Sequence, residues 1–166
     1  MSLRWLGLSA SKDAVVMIDA EVPDDDGPIV VKSDDTWKVQ KGDRAAAYNY
    51  LHQQCVDYIT ENKVDAVIVK ASAVAGKGSA TLGFLLGAEV RGVVIAAAAS
   101  QCEVRALSKA VISRTYGERK VDEYVADDAF WAEHTTGKPL RKLSREAAML
   151  LIAARILRKG RWPSRC

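Results

Sequence analysis

Apolar positions at the start of this chain come in short runs broken by turn residues. Leu3 to Leu8 (LRWLGL) and Ala14 to Glu21 (AVVMIDAE) read as strands, joined by the turn Ser9 to Asp13. Val22 to Pro28 (VPDDDGP) is an acidic turn. Ile29 to Lys32 opens a third strand, expected at a sheet edge and expected to resume near Trp37 to Val39. Three strands on tight turns predict an antiparallel meander. From Arg44 the period lengthens. Ala47, Tyr50, Leu51, Cys55, Tyr58 and Ile59 recur at helical spacing, with Asp43 as N-cap and Asn62 as a stop.

Val64 to Lys70 (VDAVIVK) is a short β-branched run, the pattern of a strand covered on both faces. Ala71 to Gly78 is small and glycine-containing, so it predicts a loop. An apolar helix follows, capped by Ser79 or Thr81 and carrying Leu82, Leu85, Leu86 and Val93. Cys102 to Leu107 predicts a strand and Ser108 to Tyr116 a helical turn. Lys120 to His134 predicts one amphipathic helix, and Thr135 to Leu140 a loop. Ser144 is expected to cap a last helix whose apolar run is Ala147 to Leu157, with Gly160 as its stop. The order βββ-α-β-α-β-α-α predicts an α/β fold. Its mixed five-stranded sheet has three antiparallel strands, then two parallel, flanked by helices. One domain is expected over residues 1–160, with a short basic tail over 161–166.

The composition changes this picture little, because 49% apolar and 27% charged residues are ordinary for a soluble domain. Neither a charge-free apolar run long enough to cross a bilayer nor a signal peptide is visible, so a cytoplasmic protein without a membrane partner is expected. Cys55, Cys102 and Cys166 are far apart and form no metal-type pair. The charge is more informative. Residues 138–166 hold nine Lys or Arg and one acid, Glu146, a net of +8, which leaves −5 for the rest of a +3 chain. A basic end on an acidic body suits a polyanion, although cations also suit a helix C-terminus.

Candidate chemistry lies at the strand ends. Lys70 ends the central strand, where many enzymes of this architecture place a functional group. The loop ASAVAGKGS departs from a P-loop at two positions: Ala71 stands for the first Gly and Gly78 for the hydroxyl. Lys77 and the amides at the helix start could still meet a phosphate. Ser9, Ser72 and Ser100 lack a nucleophile elbow, and neither His52 nor His134 has a predicted place beside them. The acids Asp122, Glu123, Asp127 and Asp128 read as a solvated helix face rather than a metal site.

RWLGLSAS, DAVIVKASAVAGKGSATLGFLLGAEVRGVVIAAAAS and SREAAMLLIAARIL together resemble the ribonuclease H-like superfamily, in its RuvC Holliday-junction resolvase branch. KGSATLGFLLGAEV carries a narrower resemblance to a small bacterial family of RuvC-like proteins. The resemblance implies nuclease carboxylates on the first strand, at the end of the fourth and in the last helix, holding two Mg²⁺. Those positions fall on Ser9, on Lys70 and around Leu143 to Glu146, where Glu146 alone is acidic. Asp13 and Asp19 belong to the first turn and the second strand. An ammonium at Lys70 repels a hard cation, so no metal and no cofactor is expected, and Lys70 is expected to pair with Glu146.

The expectation is therefore a RuvC-like pseudonuclease that binds DNA or RNA weakly and without sequence preference. The binding residues expected are Lys70, Lys77, Arg155, Arg158, Lys159, Arg161 and Arg165. The alternative is an interaction protein that uses the fold for homodimerisation or assembly with a protein partner. A metal-dependent nuclease with displaced carboxylates is the third reading.

Overall fold

The structure is a computed structural model that describes residues 1–73, 81–116 and 119–161. β1 (Ser2–Ala10), β2 (Ala14–Pro23) and β3 (Ile29–Lys38) form the meander, with β1–β2 and β2–β3 antiparallel. α1 (Arg44–Asn62) leads to β4 (Ala66–Lys70), which pairs parallel with β1. α2 (Leu82–Ala99) leads to β5 (Glu103–Leu107), parallel to β4. Then come α3 (Lys109–Tyr116), α4 (Val121–Ala126), α5 (Asp128–His134), β6 (Thr135–Gly137) and α6 (Arg145–Arg161).

The sheet has six strands, not five, in the order β5-β4-β1-β2-β3-β6. The added strand lies in the stretch that reads as a loop. Thr-Thr-Gly carries no apolar alternation, and its pairing is set by where the chain passes: Thr135 to Gly137 run parallel to Ile29 to Val31. β3 is continuous through the polar stretch Ser33 to Thr36, and β6 covers part of its open edge. Gly137 has φ 86°, and a Cβ there would meet the Val31 carbonyl oxygen at 2.5 Å, so glycine is required.

The helix expected over Lys120 to His134 is two helices. Asp127 breaks it with an extended backbone, φ −90° and ψ 97°, and its carboxylate accepts the Phe130 amide at 3.1 Å. The Trp131 indole N–H donates to the Tyr124 carbonyl at 2.8 Å, satisfying a backbone group near the end of α4.

Alternation along the strands divides the core. Trp5, Ile18, Ala66, Ile68 and Leu107 face α6, whereas Leu6, Leu8, Met17, Val67 and Val69 face α1 and α2. Ala147 to Ala154 of α6 are all buried. The helix can lie this close to the sheet because Gly7 has no side chain, and a Cβ there would stand 2.5 Å from the Ala147 carbonyl oxygen. Asp34 of β3 holds the start of α6. It accepts the Ser144 hydroxyl at 2.6 Å and the Arg141 Nε and backbone N–H at 2.8 Å each. Ser144 thus donates to a carboxylate, where the sequence predicts a helix cap.

Candidate functional site

β1 and β4 run parallel with Leu8 opposite Val69, so Ser9 and Lys70 follow next on adjacent strands. Trp5 and Ile68 point toward α6, and the two-residue strand period puts Ser9 and Lys70 on that same face. Glu146 lies in the first turn of α6, held above these strand ends by the Gly7 contact and the Asp34 anchor. The carbonyl of Lys70 accepts Arg91 Nε of α2 at 2.8 Å, and Arg91 also donates to the Ser72 hydroxyl. That contact fixes the end of β4 from the other side.

Lys70 Nζ stands 2.7 Å from Glu146 Oε1. Glu146 Oε1 lacks a directed hydrogen bond, so the contact is ionic. A second ammonium joins from the end of β5. Lys109 Nζ lies 3.8 Å from Glu146 Oε1 and 2.7 Å from Asp122 Oδ1 in the first turn of α4. Its hydrogen bond to Asp122 raises the Lys109 pKa, helped by the charge of Glu146 and opposed by partial burial. The same bond lowers the Asp122 carboxyl, with Lys70 adding a weaker pull. Two ammoniums and two carboxylates alternate along one edge of the sheet.

The donor set does not fit a divalent metal. Hard cations take several oxygen ligands free of competing charge, and here each carboxylate already faces an ammonium. Among the described residues, no three His, Cys, Asp or Glu side chains are grouped to hold a metal. Asp19 supplies no substitute. It is fully buried on the opposite, α1-facing side, where it accepts Arg4 Nε at 2.9 Å, Arg4 NH2 at 2.6 Å and the Tyr58 hydroxyl at 2.7 Å.

The basic end of α6 does not join this site. Arg155 lies nine residues beyond Glu146, roughly 14 Å along the helix. Its side chain is buried and donates to the Gly27 carbonyl at 2.6 Å. Lys159 pairs with Asp26 at 2.7 Å and Arg158 with Asp24 at 3.4 Å. The acidic turn Asp24 to Asp26 folds against this end and neutralises it. Arg155, Arg158 and Lys159 therefore stand apart from Lys70, not beside it as the sequence suggests. Lys77, Arg165 and the side chain of Arg161 lie outside the described residues, as do most of the glycine loop and the end of the tail. Lys109 is absent from the sequence-derived set. Lys109 opens α3 two residues after β5 ends, whereas Lys70 is the last residue of β4.

Comparison with solved structures decides the fold. The RuvC structure from Thermus thermophilus superposes with a TM-score of 0.69 at 14% identity, over 95% of this chain and 97% of that one. The same protein in complex with a Holliday junction substrate gives 0.68 at 14% identity, over 95% and 96%. The fold is RuvC-like. The yeast mitochondrial Holliday junction resolvase gives 0.65 at 9% identity, over 95% of this chain and 79% of that one. No family model matches the sequence, and no curated protein matches it. At such identities the likeness speaks for the RuvC-like fold alone.

α2 is the one helix among the described residues that is long and apolar enough to cross a bilayer, though only 28% of it is buried. Its Val90, Val94, Ala97 and Ala98 pack into the core beneath α1. Leu82, Phe84 and Leu85 are exposed at its start.

Proposed function

We propose that this protein is a RuvC-like pseudonuclease that binds nucleic acid without cutting it. The supporting observation is the Lys70–Glu146 ion pair, 2.7 Å long, where the resemblance places metal-binding carboxylates. Ammonium groups fixed in the protein take the place of divalent ions as the positive charge at that edge. They can meet a phosphate, but they cannot activate water as a metal does. The edge is suited to an anion in other ways. α2 begins there, with Thr81 as its cap, and α6 begins there too, so helix N-termini add positive potential. Lys12, more than half exposed, passes Gly83 at the start of α2. Lys12, Lys70 and Lys109 are the described residues that carry the contact, and the sequence adds Lys77, outside the described residues.

The similar structure with a Holliday junction bound makes a four-way DNA junction the first ligand to try. Gel shifts should show binding that weakens steeply between about 50 and 200 mM salt, with no cleavage in Mg²⁺ or Mn²⁺. Lys12→Gln with Lys109→Gln should flatten the salt slope by roughly two contacts. Junction cleavage would replace this reading with that of a nuclease. No retention of DNA or RNA at low salt would favour an assembly role. The exposed Leu82, Phe84 and Leu85 support that second reading, since a homodimer or protein partner would cover them. Sedimentation would then show a dimer that Leu85→Glu dissociates.

A further inference from the structure

The cations that α6 carries to the far end of the sheet do not fare alike. Arg158 and Lys159 pair with Asp24 and Asp26 of the turn between β2 and β3. Arg155 has no such partner. Its side chain is buried, with only 6% of the residue exposed, and it takes part in no ion pair among the described residues. Its one hydrogen bond among them runs from NH1 to the Gly27 carbonyl at 2.6 Å, and its Nε is buried without an acceptor. The guanidinium lines a cavity of about 240 Å³ where β1, β2 and α6 meet. We propose that this cavity binds a small organic anion, whose carboxylate or phosphate oxygens take the Nε and NH2 edge of Arg155.

The first argument is energetic. A guanidinium removed from water without a counter-ion is costly, and one neutral carbonyl offsets little of that cost. Arginine cannot shed its proton to escape. The other buried arginine, Arg145, does have its counter-ion, Asp128 at 2.7 Å. Arg155 instead has a cavity beside it, and an anion there would supply the missing charge.

The second argument is geometric. The Nε and NH2 hydrogens on one edge of a guanidinium are parallel and meet two oxygens of a carboxylate or phosphate at once. Arg4 gives this same edge to Asp19. In Arg155 the Gly27 carbonyl holds NH1, so the fork is oriented before a ligand arrives.

The lining agrees. Arg158 and Lys159 add positive charge, Asp24 alone opposes them, and Val22 and Pro23 offer an apolar wall to a short carbon stem. The space equals that of about eight water molecules, which suits a metabolite-sized anion and not a nucleic-acid strand. The carbonyl end of α6 disfavours an anion only over its last turn, and Arg155 lies further back than that. The Arg158–Asp24 pair, 3.4 Å long and partly exposed, is weak enough to open for entry. This site is at the opposite end of the sheet from Lys70 and does not rest on the nucleic-acid reading.

The test is titration of the full-length protein, without nucleic acid, with butyrate and separately with inorganic phosphate, each against chloride at equal ionic strength. Calorimetry and tryptophan fluorescence, to which Trp5 in the cavity wall contributes, provide the readouts. One saturable site per chain is expected. Tighter binding of butyrate identifies the ligand as a carboxylate, and tighter binding of phosphate identifies it as a phosphate ester. Arg155→Lys keeps the charge but not the fork, and should weaken binding at least about tenfold. Asp24→Asn removes the one acid of the lining and should tighten it severalfold. Asp24 is exposed, so this second variant decides the matter even if Arg155→Lys alters the circular dichroism. Absence of saturation by either probe up to about 10 mM overturns the proposal. So does binding that chloride reproduces, that both variants leave unchanged, or that a DNA duplex displaces.

Discussion

Two charged networks sit on opposite faces of the same sheet, and they differ in what holds them. Around Asp19, one fully buried carboxylate receives Arg4 Nε and NH2 and the Tyr58 hydroxyl, and Asn62 accepts a further Arg4 N–H at 3.1 Å. Around Glu146, four side chains meet mostly through single contacts, and each member is at least about a quarter exposed. The first network is closed, because its members are committed to one another and removing Arg4 would leave the Asp19 carboxylate unpaired in the core. The second is open. Its ion pairs are screened by water and can exchange for an incoming anion at little cost. Charge count alone does not separate a structural network from a ligand site. Burial and the number of committed hydrogen bonds do.

The sharpest way to break the contrast is Asp19→Ala. Arg4 loses its partner and Tyr58 its acceptor, so urea unfolding should show a loss of about 3–5 kcal/mol. A loss under about 1 kcal/mol would make Asp19 as expendable as a surface acid and would end the distinction.

The open network can be turned into a different kind of site. Ser9→Asp with Lys70→Glu would place two carboxylates beside Glu146 on one face. Without metal, three like charges should destabilise the fold. With Mn²⁺ at about 100 times its dissociation constant, the gain should be near 2.7 kcal/mol, seen as a higher melting temperature. The parent protein should show no such rise. Equal stabilisation of both would mean that the ammoniums do not block the metal.

How much of this was legible follows from what each signal depends on. The meander, the β4–α2 unit and the Asp43 cap were readable because they rest on local periodicity and local hydrogen bonds. Asp43 does accept the amides of Ala45 and Ala46. The Lys70–Glu146 pair was readable through the resemblance, which brings distant segments to one edge. β6 was not, because a three-residue parallel strand has no pattern of its own. Asp127 was read as one acid on a helix face, although an aspartate can equally end one helix and begin the next. The place of the α6 cations was not readable, because net charge ignores direction: α6 carries Arg158 and Lys159 to the far end of the sheet, against Asp24 and Asp26. Lys109 went unmarked because its partners, Asp122 and Glu146, come from helices whose packing no local pattern encodes.

A smaller effect separates the two members of the open network. Lys70→Ala leaves Glu146 with Lys109 alone, at 3.8 Å. The pair is about one quarter exposed, between the surface and buried limits, so the loss should be about 1–2 kcal/mol by denaturant midpoint. A loss of 3 kcal/mol or more would place Lys70–Glu146 with the closed network instead.

The smallest effect belongs to Lys109 and Asp122, and pH can isolate it. Asp122 is 77% and Lys109 43% exposed, so screening leaves the pair under about 1 kcal/mol. The folded Asp122 carboxyl lies below its ordinary 3.8, so its contribution is complete above that value and fades as pH falls through the lowered one. The folded Lys109 lies above its ordinary 10.5, so its contribution is complete below that value and fades as pH rises through the raised one. Between these limits the pair should contribute constantly. Asp122→Asn should therefore cost a few tenths of a kcal/mol near neutral pH. Below the lowered carboxyl value the difference from the parent should vanish, because Asp122 is then neutral in both states of the parent. Melting curves at pH 2, 3, 5 and 7 would measure the convergence. A difference that persisted at the lowest pH would mean that Asp122 acts through packing rather than charge, and that this edge is less open to exchange than its exposure implies.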